Sequence, residues 1–278
     1  MEYIKNIVCI GQMTVMLSKD CDTVDIMKKI ILIPFIGFIV FFIASLIRDP
    51  ETVLPIRQIR QLTKSFESCP DPFIFTMPVD LGKATSILYP GQLRGGDYKA
   101  HGGFRFDNSI PSEIVVTVPY DTQIIDGVRY KEGGEIQYMF DFVHTCGIRY
   151  RFDHLLTLAP KFQEIADKFP LPKESDSRTT LVNPPVSVKQ GETIATAVGM
   201  KNNGSSKDGT NTGLDWGVYD YRQKNEASKD STWAASHASD TYQYAACWFD
   251  WISPGDKAKV LALPSSDGKS GKTSDYCK

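Results

Sequence analysis

Glu135-Ile-Gln-Tyr-Met-Phe-Asp-Phe142 and Gly147-Ile-Arg-Tyr-Arg-Phe152 decide the fold. In both stretches apolar and aromatic residues return at every second position, the period of a half-buried strand and not of a helix. The same pattern continues outward in Glu113-Ile-Val-Val-Thr-Val118 and Thr122-Gln-Ile-Ile125. Val186-Ser-Val-Lys-Gln-Gly-Glu-Thr-Ile194 reads as strand, turn and strand, with Gly191 at the turn. β-Branched and aromatic residues between Gly, Pro and Asp breakers predict antiparallel strands, and so a mainly β fold. Helical candidates are short: Pro160 to Phe169, and a segment around Asp240 to Trp251. Lys173 to Val182 is a polar excursion, and Lys201 to Thr212 a Gly/Asn/Ser loop.

The chain has 278 residues, with room for one large domain or a medium domain with appendages. A formal net charge of −2 is not that of a nucleic-acid binder, which would carry a basic face.

The N-terminal part has a different character. Ile30 to Ile47 carries no charge, follows Lys28 and Lys29, and is closed by Arg48 and Asp49. Its 18 residues would span about 27 Å as a helix, close to the hydrocarbon thickness of a bilayer. It is apolar on every face, unlike an amphipathic core helix. The flanking lysines would stay inside and send the rest outward. Residues 27–48 are therefore expected to be a transmembrane anchor, with a cleaved signal segment and a secreted product as the alternative. Met27 and the lysines after it also look like a signal-type start, so 1–26 is either a short tail or an extension foreign to the native protein. Residues 49–75, with four prolines, read as a stalk.

Four of the six cysteines (Cys69, Cys146, Cys247 and Cys277) follow the apolar run. In an exported segment they permit three pairings, of which Cys247 with Cys277 is favoured because it would close the C-terminal tail.

The region from about Met77 to Tyr221 resembles the M23 (LytM, lysostaphin-like) zinc peptidase family. The resemblance rests on several short stretches in one order. His101-Gly-Gly-Phe-Arg105 stands for the family's His-x-Gly-x-Asp, and Val118-Pro-Tyr-Asp-Thr122 leads the next hairpin. Tyr150-Arg-Phe-Asp-His-Leu155 stands for Tyr-x-His-Leu, with one extra residue before the His. Val188-Lys-Gln-Gly-Glu-Thr-Ile194 stands for Val-x-x-Gly-x-x-Ile, and Gly213-Leu-Asp-Trp-Gly217 for Gly-x-His-x-His. It implies an antiparallel β domain over residues 76–224, followed by a C-terminal extension over 225–278.

The departures bear on activity. In the family, zinc is held by the first His, by the Asp four residues on, and by the second His of the last strand, leaving a position for an activated water. Here His101 keeps the first place, but Arg105 stands at the second and Gly217 at the third. A guanidinium cannot ligate a cation, and glycine has no side chain. Asp215 takes the place of the first His of that strand. The resemblance thus implies a pseudoenzyme: a noncatalytic, membrane-anchored extracytoplasmic domain. It would bind a cell-envelope peptide, glycan or protein partner in a groove around His101, Arg105, His154 and Asp215. No cofactor is expected. The alternative is an active metallohydrolase with zinc held by His101, Asp107, His154 and Asp215. Asp107 enters because strand alternation would place it on the face of Arg105.

Plainer readings cover other candidates. His144, two residues before Cys146, reads as a turn or strand-edge residue, and His237 as a packing or surface residue. Phe104, Phe106, Tyr150 and Phe152 read as core. Gly268-Lys-Ser-Gly-Lys-Thr273 lacks the glycine spacing of a phosphate loop. Asn203-Gly-Ser205 is a glycosylation sequon.

Overall fold

A computed structural model describes residues 66–201 and 210–278. The expected tail 1–26, the anchor over 27–48, residues 49–65 of the stalk, Cys9, Cys21 and the Asn203 sequon lie outside the described residues. Among the described residues no helix is long and apolar enough to cross a membrane.

The chain is mainly antiparallel β. In order, the strands are β1 (Ser86–Leu88), β2 (Gln92–Arg94), β3 (Asp97–Lys99), β4 (Gly102–Arg105), β5 (Val116–Thr117), β6 (Thr122–Glu132), β7 (Glu135–Val143), β8 (Ile148–Leu158), β9 (Thr180–Val188), β10 (Thr193–Val198) and β11 (Gly213–Asp220). The helices are α1 (Pro160–Ala166), α2 (Ser231–Ser236), α3 (Asp240–Gln243) and α4 (Pro254–Ala262). The main sheet runs β1-β4-β11-β8-β7-β6-β9, with β10 paired to β8 and β5, and β2–β3 forms a separate hairpin.

Alternation sorts the two faces of this sheet. On one face Phe152 lies opposite Trp216 and Tyr150 opposite Val218, and Leu214 opposite Phe104, all of them buried. Phe142 stacks on Tyr150 at 4.7 Å. α1 covers this core with Phe162 and Ile165, and the segment after β11 adds Trp248, Phe249 and Ile252. Trp248 lies 4.5 Å from Trp216, so the C-terminal extension completes the core. The other face carries Arg149, Arg151 and Asp153 of β8, and Asp215, Gly217 and Tyr219 of β11.

One disulfide staples the segment before the sheet to the β7–β8 turn, and the other joins two parts of the C-terminal extension. Cys247 is bonded to Cys277 as expected, and Cys69 to Cys146. Residues 66–75 therefore do not stand free as stalk. Phe73 stacks on Tyr120 at 4.3 Å, and Phe75 is buried with its backbone N–H donating to Trp251 O at 2.7 Å. An apolar, cysteine-anchored segment gains more by packing than by solvation. The helical candidate at Asp240 to Trp251 is interrupted. Ala245 bridges to Tyr219, and the Ala246 N–H donates to Val218 O, so sheet pairing takes the residues between α3 and a 3-10 turn at Trp248–Trp251.

Candidate functional site: a charged cleft on the open face

His101, Arg105, His154 and Asp215 meet at one cleft of about 800 Å3. The register explains why. Asp215 lies directly opposite Gly103 on β4 and Asp153 on β8. A Cβ at Gly103 would sit 2.9 Å from Asp215 Oδ1, so a glycine there leaves the carboxylate its space.

Asp215 is the hub. Its Oδ2 lies 3.0 Å from His101 Nε2 and 3.5 Å from His154 Nε2, and its Oδ1 lies 3.4 Å from Arg105 Nη1. Burial alone would raise the carboxyl's pKa, but the two imidazoles outweigh it and hold Asp215 well below the usual carboxylate range.

His154 reaches the cleft through a bulge. Tyr138 and Phe140 on β7 are two residues apart, while their partners Leu155 and Phe152 on β8 are three apart. The bulge falls between Phe152 and Leu155, and His154 within it takes φ +64°, an uncommon conformation for a non-glycine residue. Its N–H donates to Asp153 Oδ1 at 2.7 Å, and its carbonyl accepts from the Gly199 N–H at 2.7 Å. The bulge places Asp153 and His154, neighbours in sequence, in the same cleft wall.

Gln137 fixes the imidazole's protons. Gln137 Nε2 donates to Gly199 O at 3.4 Å, so its Oε1 faces His154 Nδ1 at 2.7 Å and accepts from it. With Nε2 turned to Asp215, both ring nitrogens face acceptors, the arrangement of an imidazolium. Burial works against the charge, but Asp153, Asp215 and Glu132 outweigh it and raise the His154 pKa to about 9. Tyr130 Oη donates to Asp153 Oδ1 at 2.6 Å, and burial foremost pushes its phenol pKa upward.

Asp107 does not join this set. β4 ends at Arg105, so alternation no longer applies two residues on, and Asp107 Oδ2 instead accepts from Thr85 Oγ1 at 2.7 Å, outside the cleft lining. Gly217 contributes nothing to the cleft either. Tyr219 covers it, and a Cβ there would sit 2.5 Å from the phenol oxygen. Among the described residues no group of three or more His, Cys, Asp or Glu is arranged to hold a metal ion. A zinc ion does not fit the set His101, Arg105, Asp215 and Gly217: a guanidinium stands beside the Asp215 carboxylate, and Tyr219 fills the space over Gly217.

Sequence reasoning missed Arg94, Tyr130, Glu132, Gln137 and Asp153. Four of them line the cleft, and Gln137 is buried behind His154. Gln137 falls on the polar alternation of β7 with Glu135 and Asp141, and like the others it carries no local signal that would single it out. Also missed was a buried charge cluster on the same face of β8. Asp141 accepts from Arg149 Nε at 3.0 Å, and from Arg151 Nε at 2.9 Å and Nη2 at 2.6 Å. Asp126 Oδ2 lies 3.6 Å from Arg149 Nη2. Burial would raise the Asp141 pKa, yet the two guanidiniums hold it well below the usual range. Burial and the neighbouring Asp141 push Asp126 well above it, so Asp126 is the more readily protonated of the two. The plainer readings of two histidines match their positions. His144 Nδ1 accepts from the Cys146 N–H in a turn, and His237 stacks on Trp233 at 4.3 Å.

The fold and the cleft define a mainly antiparallel β-sheet protein with two disulfides and a charged surface groove. No family model matches the chain, and no curated protein or solved structure matches it.

Proposed function

We propose that the chain is a noncatalytic, lysostaphin-like binding module. In this reading residues 27–48 anchor it at a membrane, and the β domain works on the extracytoplasmic side. There the cleft binds a cell-envelope peptide, glycan or protein partner. The observation that carries the reading is the Arg105–Asp215 ion pair, which puts a fixed cation where a metal would need a ligand. The two disulfides suit an oxidising compartment outside the cytoplasm.

One observation favours the second reading, an active metallohydrolase. Both His101 Nε2 and His154 Nε2 point at Asp215 Oδ2, at 3.0 and 3.5 Å, so two nitrogens and an oxygen converge. Metal analysis of the purified chain beside His101→Ala and Asp215→Ala separates the two. The binding reading expects no stoichiometric zinc in any of the three, and capture of envelope fragments that survives a chelator. Stoichiometric zinc in the parent chain, lost in both variants, would overturn it in favour of the hydrolase.

A further inference from the structure

Besides Asp97, Lys99 and Asp267, the charges that line the cleft fall into two groups, or poles. At one pole are Arg94 and Arg105. Arg94 Nη1 donates to Tyr89 O at 2.6 Å and Nη2 to His101 O at 2.9 Å. Two backbone carbonyls thus orient the guanidinium; Asp215 and Asp267 act on it electrostatically, but among the described residues no carboxylate lies within ion-pair distance of it. Arg105 is partly buried, and only its Nη1 is engaged, by Phe104 O and Asp215 Oδ1, each at 3.4 Å. Its Nε and Nη2 donors have no partner among the described residues. Two oriented guanidiniums with spare donors make a fork-shaped receptor for an oxyanion.

At the other pole are Glu132 and Asp153. Asp153 uses Oδ1 for Tyr130 and for the His154 N–H, which leaves Oδ2 without a partner among the described residues. Glu132 is partly exposed, and its nearest cation is His154 Nδ1 at 3.8 Å. Between the poles, Asp215 and His154 are occupied with each other, with His101 and with Gln137. A neutral sugar would bring no charge to the spare guanidinium donors or to Asp153 Oδ2. A polyanion would meet Glu132 and Asp153.

We propose that the cleft takes a zwitterionic ligand, an amino acid or peptide end, whose carboxylate seats on Arg94 and Arg105 and whose ammonium group seats on Glu132 and Asp153. This rests on the binding reading and names its ligand class. The cleft's volume, about 800 Å3, holds a ligand of that size.

The test is calorimetric titration of the full chain with alanyl-alanine, its N-acetylated form, its C-amidated form, and neutral chitobiose. Blocking either end removes charge-assisted hydrogen bonds and is expected to weaken binding about tenfold or more. Arg105→Gln should erase the penalty for amidation while keeping that for acetylation; Glu132→Gln, at a partly exposed side chain, should do the reverse. Equal affinities for the three dipeptides, or no heat from any of them, would overturn the proposal. Chitobiose binding without dipeptide binding would also overturn it and leave the broader binding reading standing.

Discussion

Arg105 pairs in register with Gly213, and its guanidinium lies where a side chain at position 213 would have to be. The glycine is therefore part of the reason the Arg105–Asp215 pair exists. Gly213→Ala should push the guanidinium off Asp215 and cost about 1–3 kcal/mol, the range of overpacking changes. In an Arg105→Ala background the same change should cost much less, because the crowded atoms are gone. Urea unfolding of the four members of this cycle measures the coupling, and additive costs would show that the two residues do not compete for space.

His154 makes stability depend on pH in the alkaline range. Its folded pKa, about 9, lies above the ordinary 6.5. The stabilisation is therefore fully present below about pH 6.5 and is lost as pH rises through about 9. The shift corresponds to a contribution on the order of 3 kcal/mol. Unfolding curves at pH 6, 8 and 10 should show this decline, and His154→Gln should flatten it. An NMR titration placing the ring near 6.5 would remove the basis for the claim.

Asp215 acts in the opposite direction. Its pKa is held below the ordinary carboxylate value, so its contribution is present at neutral pH and is lost as pH falls well below 4. Asp215→Asn should therefore remove part of the acid-side loss and also lower the His154 pKa. Both effects follow from one ion pair seen from its two ends, and their energies are not to be added.

The two buried aspartates of the charge cluster should respond unequally. Asp141→Asn leaves Arg149 and Arg151 without their shared carboxylate and should cost about 3–5 kcal/mol. Asp126 is the more readily protonated of the two, so Asp126→Asn, a mimic of the neutral acid, should cost less, about 1 kcal/mol. Thermal unfolding of the two variants compares them directly, and equal losses would contradict the assigned protonation states.

The disulfides should rank by the loops they close. Cys69–Cys146 spans 77 residues and Cys247–Cys277 spans 30. Loop-closure entropy gives about 4.5 and 3.6 kcal/mol for removing them, by Cys69→Ser with Cys146→Ser or by Cys247→Ser with Cys277→Ser. Denaturant midpoints of the two double variants measure the order.

What could be read from sequence alone follows from where a rule is local. Alternation in Glu135–Phe142 and Gly147–Phe152 is local, and it places Tyr150 and Phe152 in the core and their neighbours on the other face. It does not bring His101, His154 and Asp215 together: they share a cleft because β4, which follows His101, lies beside β11, and β11 beside β8. It fails at Asp107, where the strand stops two residues earlier, and at 66–75, whose prolines concealed three phenylalanines that pack. The Arg94 and Glu132 poles, and the Asp126–Asp141–Arg149–Arg151 cluster, depend on which strands become neighbours. Strand order 4-11-8-7-6 is a long-range property that no window of sequence contains.

One wall of the cleft has a consequence for the order of assembly. Ser266 and Asp267 line it, Gln92 donates to Gly271 O across a separation of 179 residues, and the Ile87 N–H donates to Pro264 O. On a ribosome, β1, β2 and β4 emerge long before the segment that closes the groove over them. During synthesis the groove is therefore an open, charged shelf. The cleft takes its final shape only after residues 264–277 have turned back and Cys277 has met Cys247.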